Sequence, residues 1–174
     1  MPRYGTTGRI GIVFAPTVAD PSKPTAAEIA AGTNLSDHVT RDGLKTPSSG
    51  NTIDAADIGS RFNKTAPGTY GGDAAEITAH RDSQGADDLA WNTLEKDAIG
   101  FLIVARAGFS QDATTGLGSK SGVAKAGDRV EVLPVTVISR AMNDTGDNET
   151  SKFTASLAIT GEPEQDAVVT ATGG

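Results

Sequence analysis

Residues Asp128 to Thr160, DRVEVLPVTVISRAMNDTGDNETSKFTASLAIT, decide the fold class, because they carry the clearest secondary-structure signal in the chain. From Phe153 the pattern alternates: Phe153, Ala155, Leu157 and Ile159 share one face, and Thr154, Ser156 and Thr160 the other. A period of two is that of a strand with one face on a core and one on water. Upstream, Val130 to Ile138 is rich in β-branched residues, but its alternation changes phase at Pro134, with Val130 and Val132 before it and Val135 and Val137 after. Proline has no N–H for a ladder, and a β-bulge there would keep both valine pairs facing inward. Asn143 to Glu149 is a polar turn between the two runs. The stretch therefore reads as a β-hairpin of a soluble β domain, with no visible chemistry of its own.

Outward from the hairpin, Ile99-Gly100-Phe101-Leu102-Ile103-Val104-Ala105-Arg106 is apolar on both faces, as a strand covered by a helix is. That helix is expected just before it, capped by Asp87 or Asp88, with Ala90, Trp91, Leu94 and Ala98 on one face and Trp91 anchoring it to the sheet. Arg9 to Ala15 reads as a first strand with Ile10, Ile12 and Phe14 on one face. Thr25-Ala26-Ala27-Glu28 is a capping box that opens a short helix, expected to stop at a left-handed Gly32. Leu35 to Val39 and Glu76 to Arg81 read as strands, and residues 107–127 as a loop. Arg41 to Asp73 is a long polar excursion in which Thr52 to Ile58 pairs weakly, while Ile53, Ile58, Phe62 and Tyr70 give it apolar anchors. After Pro163 the chain returns through Ala167-Val168-Val169 and is expected to fray from Thr170.

At 174 residues the chain is long enough for one domain with a core that needs no metal or disulfide, and it has no cysteine. Its longest apolar run is far short of the roughly 20 residues that span a bilayer. The first eight residues lack the apolar core of a signal peptide, so export by the usual route is not expected. A formal charge of −7 argues against a protein that grips nucleic acid by its phosphates. The same balance suits ordinary solubility or a surface that must repel DNA.

A search for reactive constellations yields fragments. His38 and His80 are the only histidines, and neither stands at ligand spacing from another His or a Cys. Asp144-Thr145-Gly146 matches an aspartic-protease triplet, but occurs once and within a polar turn. Asp144, Asp147 and Glu149 do not keep EF-hand spacing. Gly116-Leu117-Gly118-Ser119-Lys120 lacks the gap that a phosphate loop needs before its Gly-Lys. Asn63-Lys64-Thr65 and Asn148-Glu149-Thr150 fit the glycosylation pattern, which has no weight without a secretory signal. No catalytic, cofactor-binding or metal residue is assigned.

Pro24 to Ser36 (PTAAEIAAGTNLS), Asp87 to Leu94 (DDLAWNTL) running into Gly100 to Val104 (GFLIV), and the closing Ile159 to Pro163 (ITGEP) together resemble the major tail, or tail tube, proteins of long non-contractile-tailed phages, particularly those of actinobacteria. The resemblance covers nearly the whole chain and contains no catalytic signature. It implies two packed antiparallel sheets with one flanking helix and a long loop. It also implies assembly into hexameric rings stacked as a hollow tube for DNA delivery, with the tape measure, tail terminator and distal tail proteins as partners. The protein would be made in the host cytoplasm and end in the virion tail, passing DNA without holding it. By position in the chain, Gly43 to Gly72 would be an arm that bridges subunits and rings. Many relatives continue into an immunoglobulin-like domain that this sequence lacks, so a decorating role is not expected. The competing expectation is a capsid-decoration or adhesin-like β binding module.

Overall fold

In the computed structural model, residues 5, 8–57, 61–62, 65–72, 74–83, 88–143 and 149–171 are described. The elements run β1 (Gly11–Ala15), α1 (Ala26–Ala31), β2 (Thr33–Asn34), β3 (Val39–Lys45), β4 (Ser48–Asp54), β5 (Thr65–Gly72), β6 (Ala75–His80), α2 (Leu89–Thr93), β7 (Ile99–Ala105), β8 (Arg129–Met142), β9 (Lys152–Ile159) and β10 (Glu164–Val168). Two antiparallel sheets result. The larger has eight strands in the order β2-β1-β7-β8-β9-β6-β3, with β10 also on β8, and the smaller is the β4–β5 pair. The expected mainly β architecture is present, with two short helices.

The large sheet folds over on itself, since residues from both ends enter one core. Ile12 and Phe14 of β1 and Leu102 and Val104 of β7 meet Ile77 of β6 and Phe153 and Leu157 of β9. β8 is the strand that turns the corner. Its first half pairs with β7, from Val104↔Glu131 to Ile99↔Thr136, and its second half with β9, from Val135↔Ile159 to Met142↔Phe153.

The valine phase change has a different cause from the one its sequence suggests. Pro134 sits in unbroken register opposite Phe101, and the irregularity of the β8–β9 ladder falls between Val137 and Ser139. The two valine pairs instead face opposite sides. Val135 and Val137 enter the main core, while Val130 and Val132 join a second core with Val13, Ile103, Phe109, Ile29 and Val169. Both sides of β1 and β7 are thus covered, which is why all five residues of β1 are buried.

The second core is closed by α1, by the chain around Phe109 and by the C-terminal segment. α1 begins as expected: the Thr25 hydroxyl accepts from Glu28 N–H at 3.2 Å, and Glu28 Oε2 accepts from Thr25 N–H at 2.8 Å. Gly32 ends it, but in extended conformation (φ −78°). Its glycine is required by contact instead, because a Cβ there would lie 2.6 Å from Val13 Cγ1 and 2.8 Å from the Phe14 carbonyl oxygen. The C-terminus does not fray at Thr170, whose N–H donates to the Pro24 carbonyl and whose carbonyl accepts from Ala26 N–H.

Three further expectations shift. Leu35 is a fully buried core residue between β2 and β3, with the expected strand replaced by turns. α2 is limited to Leu89–Thr93, because the chain leaves helical geometry at Leu94 and Asp97 takes a positive φ of 66°. Ala90 and Leu94 are buried as predicted, but Ala98 reaches the core from outside the helix. Asp88 occupies the N-cap position without making a cap hydrogen bond, and Asp87 lies outside the described residues.

Candidate assembly surface

The 41–73 excursion is mostly ordered strand. Its first residues complete β3 on the sheet edge, and the rest forms the β4–β5 hairpin, paired from Ser48↔Gly72 to Asp54↔Thr65 with a register shift between Gly50 and Thr52. Its composition explains why it stands alone. No residue of β4 is buried, and Ile53 is 58% exposed, so backbone pairing holds the strands without an apolar face to pack. An isolated two-stranded hairpin is marginally stable in water. At the far end Phe62 is 74% exposed. Ile58 and the Tyr70 side chain lie outside the described residues.

The root of this arm is better fixed than its body. Arg106 grips the Glu131 carboxylate through Nε and Nη2, and the same Nη2 donates to Thr46 Oγ1 at 3.3 Å. Beside the root lies a cavity of about 520 Å³, bounded by Thr46, Ser48 and Gly72 of the arm and by Leu133, Ile159 and Pro163 of the body.

The 107–127 connection is ordered around Asp128, to which the sequence assigned no role beyond opening the hairpin stretch. Its carboxylate is fully buried and accepts from Ser110 N–H (2.8 Å), Gln111 N–H (2.7 Å) and Lys125 N–H (3.0 Å). The one sequence signal for this role is an acid preceded by Gly127 at the mouth of a polar loop, which the apolar patterning does not single out. The Gly116–Lys120 segment is part of this structure: Phe109 and Ser119 form a two-way bridge, and Lys120 pairs with Asp37. A Cβ on Gly118 would sit 2.1 Å from the Phe109 carbonyl oxygen, so the glycine serves close packing of backbone on backbone.

Trp91 is half-buried at the end of the main core, with its ring edge-on to Phe153 (centroids 5.0 Å apart). The guanidinium carbons of Arg81 and Arg140 each lie 3.9 Å from the ring centroid. Two such groups at that distance require opposite faces of the indole. Arg140 also donates to the Trp91 carbonyl at 2.6 Å, and Arg81 pairs with the buried Asp88. The anchor is therefore aromatic on its edge and cationic on both faces.

The histidines prove to be neighbours through the β3–β6 pairing, with His80 N–H donating to the His38 carbonyl at 2.8 Å, while His80 Nδ1 lies 2.8 Å from Thr150 Oγ1. Glu149 pairs with Lys152. Asp144, Asp147, Asn63 and Asn148 lie outside the described residues. Among the described residues, no group of three His, Asp or Glu side chains is placed to hold a metal ion. Three carboxylates are held below their ordinary range by hydrogen bonds: Glu28 by Thr25 and Ala19 N–H, Asp112 by Thr115 and Thr114 N–H, and Asp20 by Ser22. Each fixes a helix start or a turn.

A curled antiparallel sheet with a coreless hairpin arm defines a mainly β protein. A family model described as phage tail tube protein matches residues 1–172, and the chain belongs to that family. It is accordingly a structural component of a phage tail. Among solved structures, a chain of the six-fold symmetrised cryo-EM structure of the anti-feeding prophage (AFP) baseplate has a similar fold, with a TM-score of 0.57 at 9% identity over 99% of this chain and 100% of that one. Among curated proteins no sequence match was found.

Proposed function

We propose that the protein assembles into hexameric rings that stack into the hollow tail tube through which phage DNA passes, and that it performs no catalysis. The β4–β5 arm carries this reading. A two-stranded hairpin with no buried residue in β4 has little reason to persist in a lone subunit, but a neighbour's surface supplies the packing that it lacks. Six-fold symmetry is supported by the similar fold in a six-fold symmetrised assembly. In the ring, the open edges at β2, β3 and β10 meet strands of adjacent subunits, which removes the aggregation hazard of an unpaired edge. The tape measure, tail terminator and distal tail proteins are the expected contacts at the ends of such a tube.

Negative-stain imaging of the purified protein tests this proposal. Tubes of constant diameter whose end-on views average with six-fold symmetry are expected. Uniform monomers or closed trimers at high protein concentration would instead favour the decoration or adhesin-like module.

A further inference from the structure

The cavity beside the root of the arm and the far tip of the arm are complementary in apolar character and in charge. We propose that the tip of one copy, Arg61 and Phe62, seats in the root cavity of a second copy, so that each chain offers one tip and one socket. The inference rests on the tube reading and goes further, naming the surface that receives the arm.

The socket is fixed by a close approach and a clasp. A Cβ on Gly72 would lie 2.5 Å from Ile159 Cδ1, so the returning strand of the arm rests on the body at a point that only glycine permits. The outgoing chain is held at Thr46 by Arg106, which also binds Glu131. Leu133, Ile159 and Pro163 give the cavity apolar walls, and its volume of about 520 Å³ falls within the range of pockets that take up organic ligands. Its two charged residues are Glu131 and Glu164. Arg106 neutralises Glu131, whereas Glu164 enters none of the ion pairs among the described residues. The cavity therefore presents an apolar interior and one uncompensated carboxylate, which suits an apolar group that arrives with a cation.

The tip carries those groups. Phe62 is 74% exposed, and Arg61 beside it is exposed and likewise enters none of the ion pairs among the described residues. Aromatic and arginine side chains are the ones enriched where protein surfaces meet. The tip cannot fill the socket of its own chain. β4 and β5 are paired from Ser48↔Gly72 to Asp54↔Thr65, and a strand of seven residues is about 20 Å long, so Arg61 and Phe62, beyond the last pair, are held that far from the root. The occupant is thus a second copy. Because tip and socket are different surfaces of one chain, the contact is heterologous and repeats from copy to copy, closing into a ring or running on as a stack. A smaller apolar hollow bounded by Val13, Ile29 and Val123 has no carboxylate and offers Arg61 no partner.

Two measurements test the proposal. In the first, Phe62 is replaced by the photoreactive analogue p-benzoylphenylalanine, and isotope-labelled and unlabelled chains are mixed, assembled and irradiated. Adducts between labelled and unlabelled chains are expected within residues 46–50 and 159–165. Tubes whose adducts map elsewhere would refute the socket and leave the tube standing. Adducts at the socket in oligomers that build no tube would support the socket and remove the tube reading. A chain that stays monomeric at high concentration would remove both. In the second, Arg61→Glu and Glu164→Lys should each raise the protein concentration needed for polymerisation by about tenfold or more, because like charges then meet at the contact. The double variant restores opposite charges and should recover most of that loss. Single variants that assemble like the parent would overturn the pairing. So would a double variant that shows both losses together while keeping the parent's circular dichroism.

Discussion

Replacing Trp91 removes the packing that closes the end of the main core, and the size of the effect follows from its contacts. The edge contact with Phe153 contributes about 1 kcal/mol beyond burial. Each stacked guanidinium contributes about 1 kcal/mol at a half-buried site. Loss of the remaining buried indole surface brings Trp91→Ala to about 3–5 kcal/mol. For a chain of this size about 2–4 °C is lost per kcal/mol, so the thermal midpoint should fall by about 6–20 °C. Urea unfolding followed by far-ultraviolet circular dichroism reads the change without using the lost fluorophore. Arg140→Ala should cost about 1–2 kcal/mol, through one stacked face and one hydrogen bond to the Trp91 carbonyl. Arg81→Ala should cost more, about 3–5 kcal/mol, because Asp88 is 1% exposed and would be left buried without its cation. Equal losses for the two arginine variants, or an unchanged midpoint for Trp91→Ala, would refute the sandwich as a stabilising unit.

Other substitutions probe the second core. Asp128→Ala deprives three backbone N–H groups of their acceptor; part of that loss is recovered by water, so about 2–4 kcal/mol and rapid hydrogen exchange at Ser110, Gln111 and Lys125 are expected. Gly118→Ala drives a methyl group into the Phe109 carbonyl and should cost about 1–3 kcal/mol by equilibrium unfolding. Glu28→Gln weakens the capping box by about 1 kcal/mol. Because the folded value of Glu28 is lowered, its contribution is complete above the ordinary 4.5 and is lost as pH falls through the lower folded value. Unfolding of the parent and of Glu28→Gln should therefore converge at acid pH; a difference that persisted there unchanged would contradict the ionic cap.

Local signals made much of the fold legible. The alternation of Phe153 to Ile159 and the capping box from Thr25 to Glu28 need only neighbouring residues to be read, and both appear in the structure as expected. The phase change around Pro134 has two physical solutions, a bulge or a strand buried on both faces, and only the partner strands decide between them. α2 is short because apolar spacing continues to Ala98 while the backbone has already turned, an outcome that side-chain periodicity does not encode. The arm was visible as a polar excursion but not as a hairpin, since its strands lack apolar alternation and pair through backbone alone. Asp128 escaped notice for a related reason: a carboxylate that organises a loop satisfies N–H groups distant in sequence.

Replacing the β4–β5 arm, Ser48 to Gly72, by a short Gly/Ser linker tests the central claim most directly and leaves β3 in place, with tube formation and the parent's hydrogen exchange read on the same preparations. The parent arm should exchange rapidly in the free subunit and become strongly protected in tubes, because only a neighbour offsets the entropy of ordering it. The shortened chain should keep the parent's circular dichroism in the rest of the sheet and form no tubes. A shortened chain that polymerises as readily as the parent, or an arm already fully protected in the monomer, would contradict the account.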